Sequence, residues 1–464
     1  MRHYQLGTGK WVFVDWMGIE PGYGTAWGGA ISEGFCVPRG LALRAHKPRV
    51  EETPVLAPEC PWEAGGISPY ATFLEDGGVF RCWYEHAGVD ESGLAYAESH
   101  DGVHWTKPPL GQKPYAGSAE TNMLELWTNG HHIFIDPTAP LAERYKLIRG
   151  YWGKTVRALV GAVSPDGLRW TRIPDEEPIL AGNHADTQSI GLYDEDLGQY
   201  VIYTRQRDGA MQRRGINRTV SSDFRHFPPS EPIFEANPLD PPDWDYYANG
   251  YSRWPGAVDA HLMRFTVYQH TPDLVNVHLA VSRDGKIWHR PLGREPWVEG
   301  GPSYPPPYPS VYACAGILPT APGEWSTYLG VSASGHNEAL VQPGVILRAV
   351  SREDGFMSLS SEGRGEFWTI PFTLRSDRLR LNVRTAYSGF VRCEVLASGL
   401  GDTGAAVTAG RALPGFTFEE GAAVSGDHMD VPLSWEGDLG QLRGQDVRLH
   451  FDLYKADLYA LRFD

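Results

Sequence analysis

The sequence predicts an all-β protein, a five-bladed β-propeller followed by a β-sandwich. A short phrase, Ser-x-Asp-Gly followed by an aromatic residue, returns five times after β-rich runs. No segment keeps a helical period for more than two turns without Gly or Pro. The chain has 53 Gly, 36 Pro, 16 Trp and 22 Tyr, as a fold with many turns and large aromatic side chains requires.

The five copies of the phrase carry Asp101, Asp166, Asp223, Asp284 and Asp354, about 57 to 70 residues apart. They read AESHDGVHW (97–105), AVSPDGLRW (162–170), TVSSDFRHF (219–227), AVSRDGKIW (280–288) and AVSREDGFMSL (349–359). A period of this length carried by strands predicts one sheet per repeat. Asp-Gly favours a tight turn, the Ser and Asp side chains can bond turn amides, and the aromatic fills the gap between sheets. The phrase therefore specifies scaffold, and the chemistry is expected in the loops between repeats.

The repeats divide the chain into three predicted regions. Residues 1–50 form an N-terminal segment that wraps or closes the propeller. Residues 51–364 form five four-stranded blades and carry the catalytic site. From 365 to 464 the phrase is absent, and short strands such as RLRLNVRT (378–385) and GFVRCEVLA (389–397) alternate with Gly and Asp turns. This last pattern is typical of a β-sandwich.

Charge and cysteine content exclude several classes of protein. The net charge of −16 argues against nucleic acid and anionic membranes as partners. Five scattered cysteines without CxxC spacing indicate reduced thiols, not disulfides or a zinc site. The N-terminus lacks the apolar run of a signal peptide, and no segment reaches the length of a membrane span. We therefore expect a cytoplasmic protein, and the sequence leaves a homo-oligomer open.

The repeat, the five blades and the C-terminal sandwich resemble glycoside hydrolases of the β-fructosidase (invertase) and arabinanase type. Segments that resemble a bacterial group of this kind are PVLAPECPWE (54–63), HIFIDPTAPLAERYKLI (132–148), HADTQSIGLYDEDLGQYVIYTR (184–205), VHLAVSRDGKIWHR (277–290) and LRGQDVRLHFDLYKADLYALRF (442–463). The resemblance covers nearly the whole chain. It implies hydrolysis of a glycosidic bond, with a fructofuranoside or arabinofuranoside as substrate.

The catalytic motifs of invertases are absent from this sequence. There is no W-x-N-D-P-N-G nucleophile motif, the Asp136-Pro137 pair lacks the preceding Arg, and Glu59-Cys60 lies before the first blade. The template places Asp76, Asp136 and Asp194 at the far ends of inner strands. Asp136 is therefore expected to be a turn residue on the face opposite the substrate.

Three acids fall on the predicted substrate side, where inner strands begin. Glu63 precedes the inner strand of blade 1, Asp186 precedes that of blade 3, and Glu338 lies in a blade 5 loop. Glycoside hydrolysis needs one carboxylic acid to protonate the leaving oxygen and one carboxylate to attack or to activate water. These three are the predicted catalytic residues. The alternative for each is a structural role, such as bonding turn or strand-entry amides.

Residues suited to hydroxyl-rich ligands recur after the second strand of the blades. The predicted substrate-binding residues are His86, Trp152, Arg205, Tyr247, Asn249, His270 and His336. The alternative for a single His is a buried imidazole satisfied by the backbone. Because His or Arg fills this position in four blades, the set favours a ring around one mouth of the propeller. No histidine pair has metal-motif spacing, so we predict no catalytic metal and no cofactor, and a structural calcium ion stays open.

The leading hypothesis is thus a glycoside hydrolase acting on a small oligosaccharide or glycoside through paired carboxylates. One alternative is a carbohydrate-binding propeller without turnover. The other is a sialidase-like glycosidase, which needs three clustered arginines for the substrate carboxylate and a tyrosine nucleophile. Arg149 and Arg205 alone do not make a convincing cluster of this kind.

Overall fold

The computed structural model describes residues 6–21, 38–88, 92–126, 129–152, 157–174, 177–182, 186–207, 209–210, 212–257, 259–301, 308–338, 344–397 and 411–464. The chain forms two compact units. The propeller unit comprises Lys47–Arg253 and His261–Arg352, and the sandwich unit comprises Met1–His46, Trp254–Ala260 and Glu353–Asp464. Within the described residues, no helix is long and apolar enough to span a bilayer.

Three short strands precede the first blade: β1 (Gly9–Val12), β2 (Ala42–Ala45) and β3 (Arg49–Val50). The N-terminal segment is divided between the units. Strands β1 and β2 belong to the sheet of the sandwich unit, whereas β3 belongs to the propeller unit.

The first three blades are antiparallel sheets in chain order. Blade 1 contains β4 (Gly66–Asp76), β5 (Val79–Ala87) and β6 (Ser92–Ser99). Blade 2 contains β7 (His132–Ile135), β8 (Tyr145–Trp152), β9 (Arg157–Ser164), β10 (Thr171–Arg172) and β11 (Leu180–Ala181). Blade 3 contains β12 (Ile190–Asp194), β13 (Gln199–Gln206), β14 (Gly215–Ser221) and β15 (Glu231–Phe234). In blade 1 two isolated bridges, from Glu98 to Thr106 and from Ala95 to Met123, stand where a fourth strand was predicted.

Blade 4 is interrupted within each of its three strands. The pieces are β16 (Trp244–Tyr246) and β17 (Tyr251–Arg253), β18 (His261–Met263) and β19 (Thr266–Gln269), and β20 (Leu274–Val277) and β21 (Ala280–Ser282). Blade 5 contains β22 (Ser310–Ala313), β23 (Leu318–Ala321), β24 (Glu324–Ser332) and β25 (Val345–Arg352). The five blades predicted from the repeats are therefore present, and the uniform four-strand template holds only in part.

The propeller is closed by a strand from before blade 1. Strand β3 pairs antiparallel with β25, Val50 lying opposite Ala349. The Glu51 N–H also donates to the Arg348 carbonyl at 2.9 Å, and the Arg348 guanidinium contacts the Glu51 carboxylate at 3.0 Å. The last blade is thus completed by the segment that leads into the first, which removes an open sheet edge.

The repeated phrase forms the turn that its residues predict. In the second copy, the Ser164 hydroxyl accepts from the N–H groups of Asp166 and Gly167 at 3.2 and 2.9 Å. Asp166 Oδ1 accepts from the next two amides, Leu168 and Arg169, both at 2.8 Å. The first and fourth copies repeat these bonds. The glycine has a positive φ, +77° at Gly167, a conformation that L side chains rarely adopt.

The carbonyl of the same glycine accepts a hydrogen bond from the neighbouring blade. Trp83 Nε1 in blade 1 donates to the Gly167 carbonyl of blade 2 at 2.7 Å. Tyr328 in blade 5 donates to Gly102 of blade 1 at 2.7 Å, and Tyr203 in blade 3 donates to Gly285 of blade 4 at 2.9 Å. Each contact is buried, so the phrase sets the spacing between sheets as well as the turn.

The fifth copy does not form this turn. Its Ser351 and Asp354 are three residues apart, one more than in the other copies, so the Ser side chain is out of register with the aspartate. Asp354 is fully buried in the sandwich unit with φ of +59°. Its carboxylate accepts from Lys10 at 2.9 Å and Arg462 at 3.0 Å, and also from Trp254 and Asn382 side chains.

The sandwich unit is one seven-stranded sheet in which two long strands bulge and change partners. Its later strands are β26 (Met357–Trp368), β27 (Phe372–Thr373), β28 (Leu379–Ala397), β29 (Asp427–Pro432) and β30 (Asp446–Phe463), in the order β2-β26-β30-β28-β29 with β1 and β27 also on β30. A register shift between Thr385 and Phe390 divides β28 into two halves. Both halves contribute to one core, through residues such as Leu381 and Val395.

Candidate functional site

Two cavities lie at the face of the propeller unit where inner strands begin, which we call the start face. The larger cavity, of about 410 Å³, is lined by the beginning of β4, the end of β5 and the beginning of β6, with Asn129 and Tyr312 from blades 2 and 5. Ser68, Glu85, His86 and Ser92 supply its polar side chains from blade 1. The sequence predicts a ligand site where the inner strands begin, and an open cavity large enough for a sugar lies there.

Glu85 is the carboxylate that lines the larger cavity, and it shares a proton with His131. The Glu85 Oε1 atom lies 3.0 Å from His131 Nδ1 and accepts from the His131 backbone N–H at 3.1 Å. His131 Nε2 lies 3.1 Å from the Trp83 carbonyl, which can only accept, so Nε2 carries a proton. The bond between Glu85 and Nδ1 therefore holds a second proton, on either the acid or the ring. Ser68 adds a 3.4 Å hydrogen bond to Oε2.

The smaller cavity, of about 180 Å³, is lined by four arginines, one glutamine and one aspartate: Arg157, Asp186, Arg205, Gln206, Arg207 and Arg214. Asp186 forms an ion pair with Arg205. Arg205 belongs to β13 and is 4% exposed, and its guanidinium lies 4.3 Å from the centre of the Tyr247 ring. Burial lowers the pKa of Arg205, because the charged form loses hydration.

Tyr70, Tyr247 and Tyr312 form a buried tyrosine cluster, in which Tyr312 lines the larger cavity and Tyr247 contacts Arg205 of the smaller one. The rings of Tyr70 and Tyr312 meet edge to face at 5.9 Å, and those of Tyr247 and Tyr312 at 6.4 Å. Burial raises the pKa of Tyr70 well above its ordinary value; nearby Tyr247 and Glu85 add to this, and Thr187 and Arg205 oppose it. The charges of Glu85 and Arg205 thus both act on Tyr70.

A second acid, Asp245, lies behind Arg214 in blade 4. Its Oδ2 contacts Arg214 Nη1 at 2.5 Å and His270 Nε2 at 2.8 Å, and its Oδ1 accepts from the Arg214 N–H at 3.1 Å. Burial acts to raise the pKa of Asp245, but the hydrogen bonds from His270 and Arg214 outweigh it and hold the pKa below the ordinary value. Asp245 is thus an anionic support for Arg214 and His270.

Glu63 lies in neither cavity. Its fully buried carboxylate accepts from Lys107 Nζ at 2.8 Å, from the Tyr84 hydroxyl at 2.5 Å and from the N–H groups of Glu59 and Cys60 at 2.9 and 3.1 Å. Burial acts to raise its pKa, but the Lys107 and Tyr84 hydrogen bonds outweigh it and lower the pKa. A carboxylate held anionic by four donors is poorly suited to donate a proton. The catalytic role predicted for Glu63 therefore has no support in this geometry, and its structural alternative does.

The third predicted acid, Glu338, is exposed, and its carboxylate accepts from the Gly335 N–H at 2.9 Å. Neither cavity includes it in the described residues. His336, nearby, bonds the Tyr312 hydroxyl at 2.6 Å and faces the Tyr247 ring at 4.7 Å. Burial lowers the pKa of His336, so the ring is favoured in its neutral form. The blade 5 loop thus contributes His336 to the tyrosine cluster.

The other predicted binding residues take different positions. His86 lines the larger cavity and is anchored through Nδ1 to the Trp62 carbonyl at 2.8 Å. His270 is partly exposed and held by Asp245. Asn249 is buried, donating to the Tyr203 carbonyl and accepting from the Tyr251 N–H, both at 3.1 Å, as a strand support. The side chain of Trp152 lies outside the described part of the chain.

Asp76, Asp136 and Asp194 stand at the far ends of β4, β7 and β12, as the template predicts. Asp136 accepts from the Thr138 N–H at 2.9 Å and the Thr138 hydroxyl at 2.7 Å, and is a turn residue. It is bonded to Tyr200 and not to Asp186. This part of the sequence interpretation assigned the two faces of the blades correctly.

Sequence reasoning missed Glu85, His131 and the arginine cavity. Glu85 lies inside a strand, β5, that is otherwise nearly all buried, whereas candidate residues were expected in loops. A charged residue within a buried strand could have indicated the site, because a buried carboxylate needs specific partners. His131 precedes the inner strand of blade 2 and has no motif around it that would single it out. The four arginines come from two blades, Arg157 from blade 2 and the others from blade 3. No local sequence pattern therefore predicts that they line one cavity.

No protein-family model and no curated protein matches the chain. Solved structures do match. An N-acetylgalactosamine deacetylase from F. plautii in complex with blood group B trisaccharide has a TM-score of 0.45 and 15% identity, over 68% of this chain and 96% of that one. A glycosyl hydrolase from Bacteroides ovatus has 0.42 and 14%, over 67% and 94%. A thermostable family-43 glycoside hydrolase has 0.42 and 14%, over 63% and 92%. No residue role or activity is transferred from these proteins.

Across the described residues, no group of three or more His, Cys, Asp and Glu side chains is placed to hold a metal ion. The described cysteines, Cys60, Cys82, Cys314 and Cys393, are free thiols. Cys36 lies outside the described residues.

Proposed function

We propose that the protein is a glycoside hydrolase whose substrate binds on the start face, with Glu85 as the proton-donating acid. The observation that carries this proposal is the proton shared between Glu85 and His131 at the wall of an open cavity. A glycosidic oxygen must receive a proton as its bond to the sugar breaks. A carboxyl group that shares a proton with a neighbouring imidazole ring, and that borders a sugar-sized space, is suited to this step.

Asp186 is the proposed second carboxylate. It borders the neighbouring cavity, and Arg205 keeps a positive charge beside it. An anionic carboxylate can attack the sugar carbon or activate a water for the attack. Tyr312, which lines the larger cavity, provides an aromatic edge against which a sugar ring can pack. The sequence resemblance makes fructofuranosides and arabinofuranosides the first substrates to test.

The test is an activity screen of the wild type and Glu85→Gln on aryl furanosides and pyranosides. An amide keeps the shape of Glu85 but cannot deliver a proton, so turnover should fall by roughly 10² to 10⁴. Aryl glycosides with good leaving groups need less protonation and should lose less. Glu120→Gln, an exposed acid away from both cavities, is the matched control. Equal turnover by wild type and Glu85→Gln on a true substrate would overturn the assignment.

A carbohydrate-binding propeller without turnover is the second candidate. It is favoured by one observation, that Asp186 is bound to Arg205 and Asp245 to Arg214 and His270. Acids committed to such pairs can serve to position arginines for ligand binding alone. Under this candidate a sugar that binds the wild type is recovered unchanged, and Glu85→Gln alters its Kd only modestly.

A further inference from the structure

The smaller cavity is positively charged in a protein whose net charge is −16. Four guanidinium groups line it against one carboxylate, Asp186, and Asp245 behind Arg214 offsets one more charge. Positive charge concentrated in a concave site attracts anions and raises their local concentration. In an acidic protein this local field opposes the overall repulsion of anionic ligands.

Two of the arginines that line this cavity each have one buried guanidinium nitrogen without an acceptor in the described residues. These nitrogens are Nη1 of Arg205 and Nε of Arg214. Arg205 is 4% exposed, so this nitrogen cannot be satisfied by bulk solvent. A buried donor without an acceptor is costly, and guanidinium donors match the oxygens of carboxylate, sulfate and phosphate groups.

We propose that this cavity binds an anionic substituent of the sugar: a carboxylate, sulfate or phosphate group. The remainder of the sugar would then face the tyrosine cluster and the Glu85 cavity, which makes the substrate an acidic glycoside. This last step rests on the proposed hydrolase function, whereas binding of the anion does not. Asp186 competes with the incoming anion for Arg205 and sets an upper limit on affinity.

The binding test uses calorimetric titration of methyl β-D-glucuronoside, methyl β-D-glucoside 6-sulfate and 6-phosphate, and neutral methyl β-D-glucoside. At least one anionic probe should bind tighter than the neutral one, and the order among the three identifies the anion. Arg157→Gln and Arg207→Gln, both on exposed residues, should each weaken that probe roughly tenfold. Arg172→Gln, an exposed strand arginine of blade 2 outside the cavity, should leave affinity unchanged.

Asp186→Asn provides a test of opposite sign. Removing the competing carboxylate should tighten binding of the anionic probe, whereas turnover should fall if Asp186 is catalytic. Anionic and neutral probes binding equally, or Arg157→Gln and Arg207→Gln leaving anion affinity unchanged, would overturn the inference. Turnover of neutral glycosides with no preference for anionic ones would contradict the anion site and support the hydrolase function. Anion binding by these arginines without turnover of any probe would support the anion site and contradict the hydrolase function.

Discussion

At the residue scale, the same side-chain chemistry serves stability in one place and proton transfer in another. Glu63 and Glu85 both lie in blade 1 and both are buried, yet their partners differ. Lys107 makes Glu63 a fixed anion, whereas His131 gives Glu85 a proton to share. Sequence position predicted that an acid would stand near the beginning of blade 1, and the partners that decide its role come from elsewhere in the chain.

Glu63→Gln should lower stability more than activity. The folded-state pKa of Glu63 is below its ordinary value of 4.5, so its stabilisation is present above that value and is lost as pH falls through the folded pKa. Removing one partner of a buried ion pair costs about 3 kcal/mol. Urea unfolding should therefore show a large difference from wild type near neutral pH and a smaller one at about pH 3.

The control for this comparison is again Glu120→Gln, whose unfolding free energy should match wild type at both pH values. A Glu63→Gln protein with wild-type stability and lost turnover would return Glu63 to the catalytic set.

The sequence could predict only the face of the propeller on which the site lies. The particular residues of the site were not predictable, because Glu85 meets His131 and Arg205 meets Arg157 across different blades.

At the element scale, the repeated phrase carries more information than a turn signal. Its serine and aspartate close the turn, and its glycine accepts a hydrogen bond from the next sheet. The sequence predicted most of the turns, the order of the strands and a second β unit, but it placed the start of that unit at residue 365, whereas the last segment of the sandwich unit begins at Glu353. It did not predict the interrupted strands of blade 4, because no Gly or Pro marks the breaks at Arg264 and His278.

Gly167→Ala should destabilise the propeller unit more than Gly198→Ala. Both glycines have positive φ, +77° and +62°, so the backbone strain is similar. A methyl group at Gly167 would lie 2.7 Å from Trp83 Cζ2, whereas nothing lies within 4 Å at Gly198. We expect Gly167→Ala to cost about 1 to 3 kcal/mol beyond its control, because overpacking shifts the neighbouring sheet. Equal midpoints in urea would contradict a spacing role for the phrase.

At the scale of the whole molecule, each unit is assembled from segments far apart in sequence. The propeller unit is completed by β3 on β25, and the sandwich unit by β1 and β2 on β30 and β26. The sequence analysis expected the N-terminal segment to wrap or close the propeller. Its division between two units could not be foreseen, because two- and four-residue strands carry too little pattern to name their partners.

Arg49→Pro should lower the melting temperature more than Thr171→Pro. Each proline falls in a two-residue outer strand at a hydrogen-bonded pair, Arg49 with Val350 and Thr171 with Val163, so each removes one ladder donor. Arg49 lies in the strand that closes the ring, whereas Thr171 only borders blade 2. We expect a loss of about 1 to 3 kcal/mol for Arg49→Pro and less for the control. Calorimetry measures both. Matching melting temperatures would show that β3 is dispensable for closure.

The pairing of β1 with β30 also bears on how the protein is made. Gly9 lies opposite Phe463, so β1 cannot pair with β30 until the chain has been synthesised as far as Phe463. Contacts between residues so far apart form slowly, and unpaired strand edges promote aggregation while they wait. Translation rate and chaperone occupancy should therefore govern the yield of this protein more strongly than its final stability does.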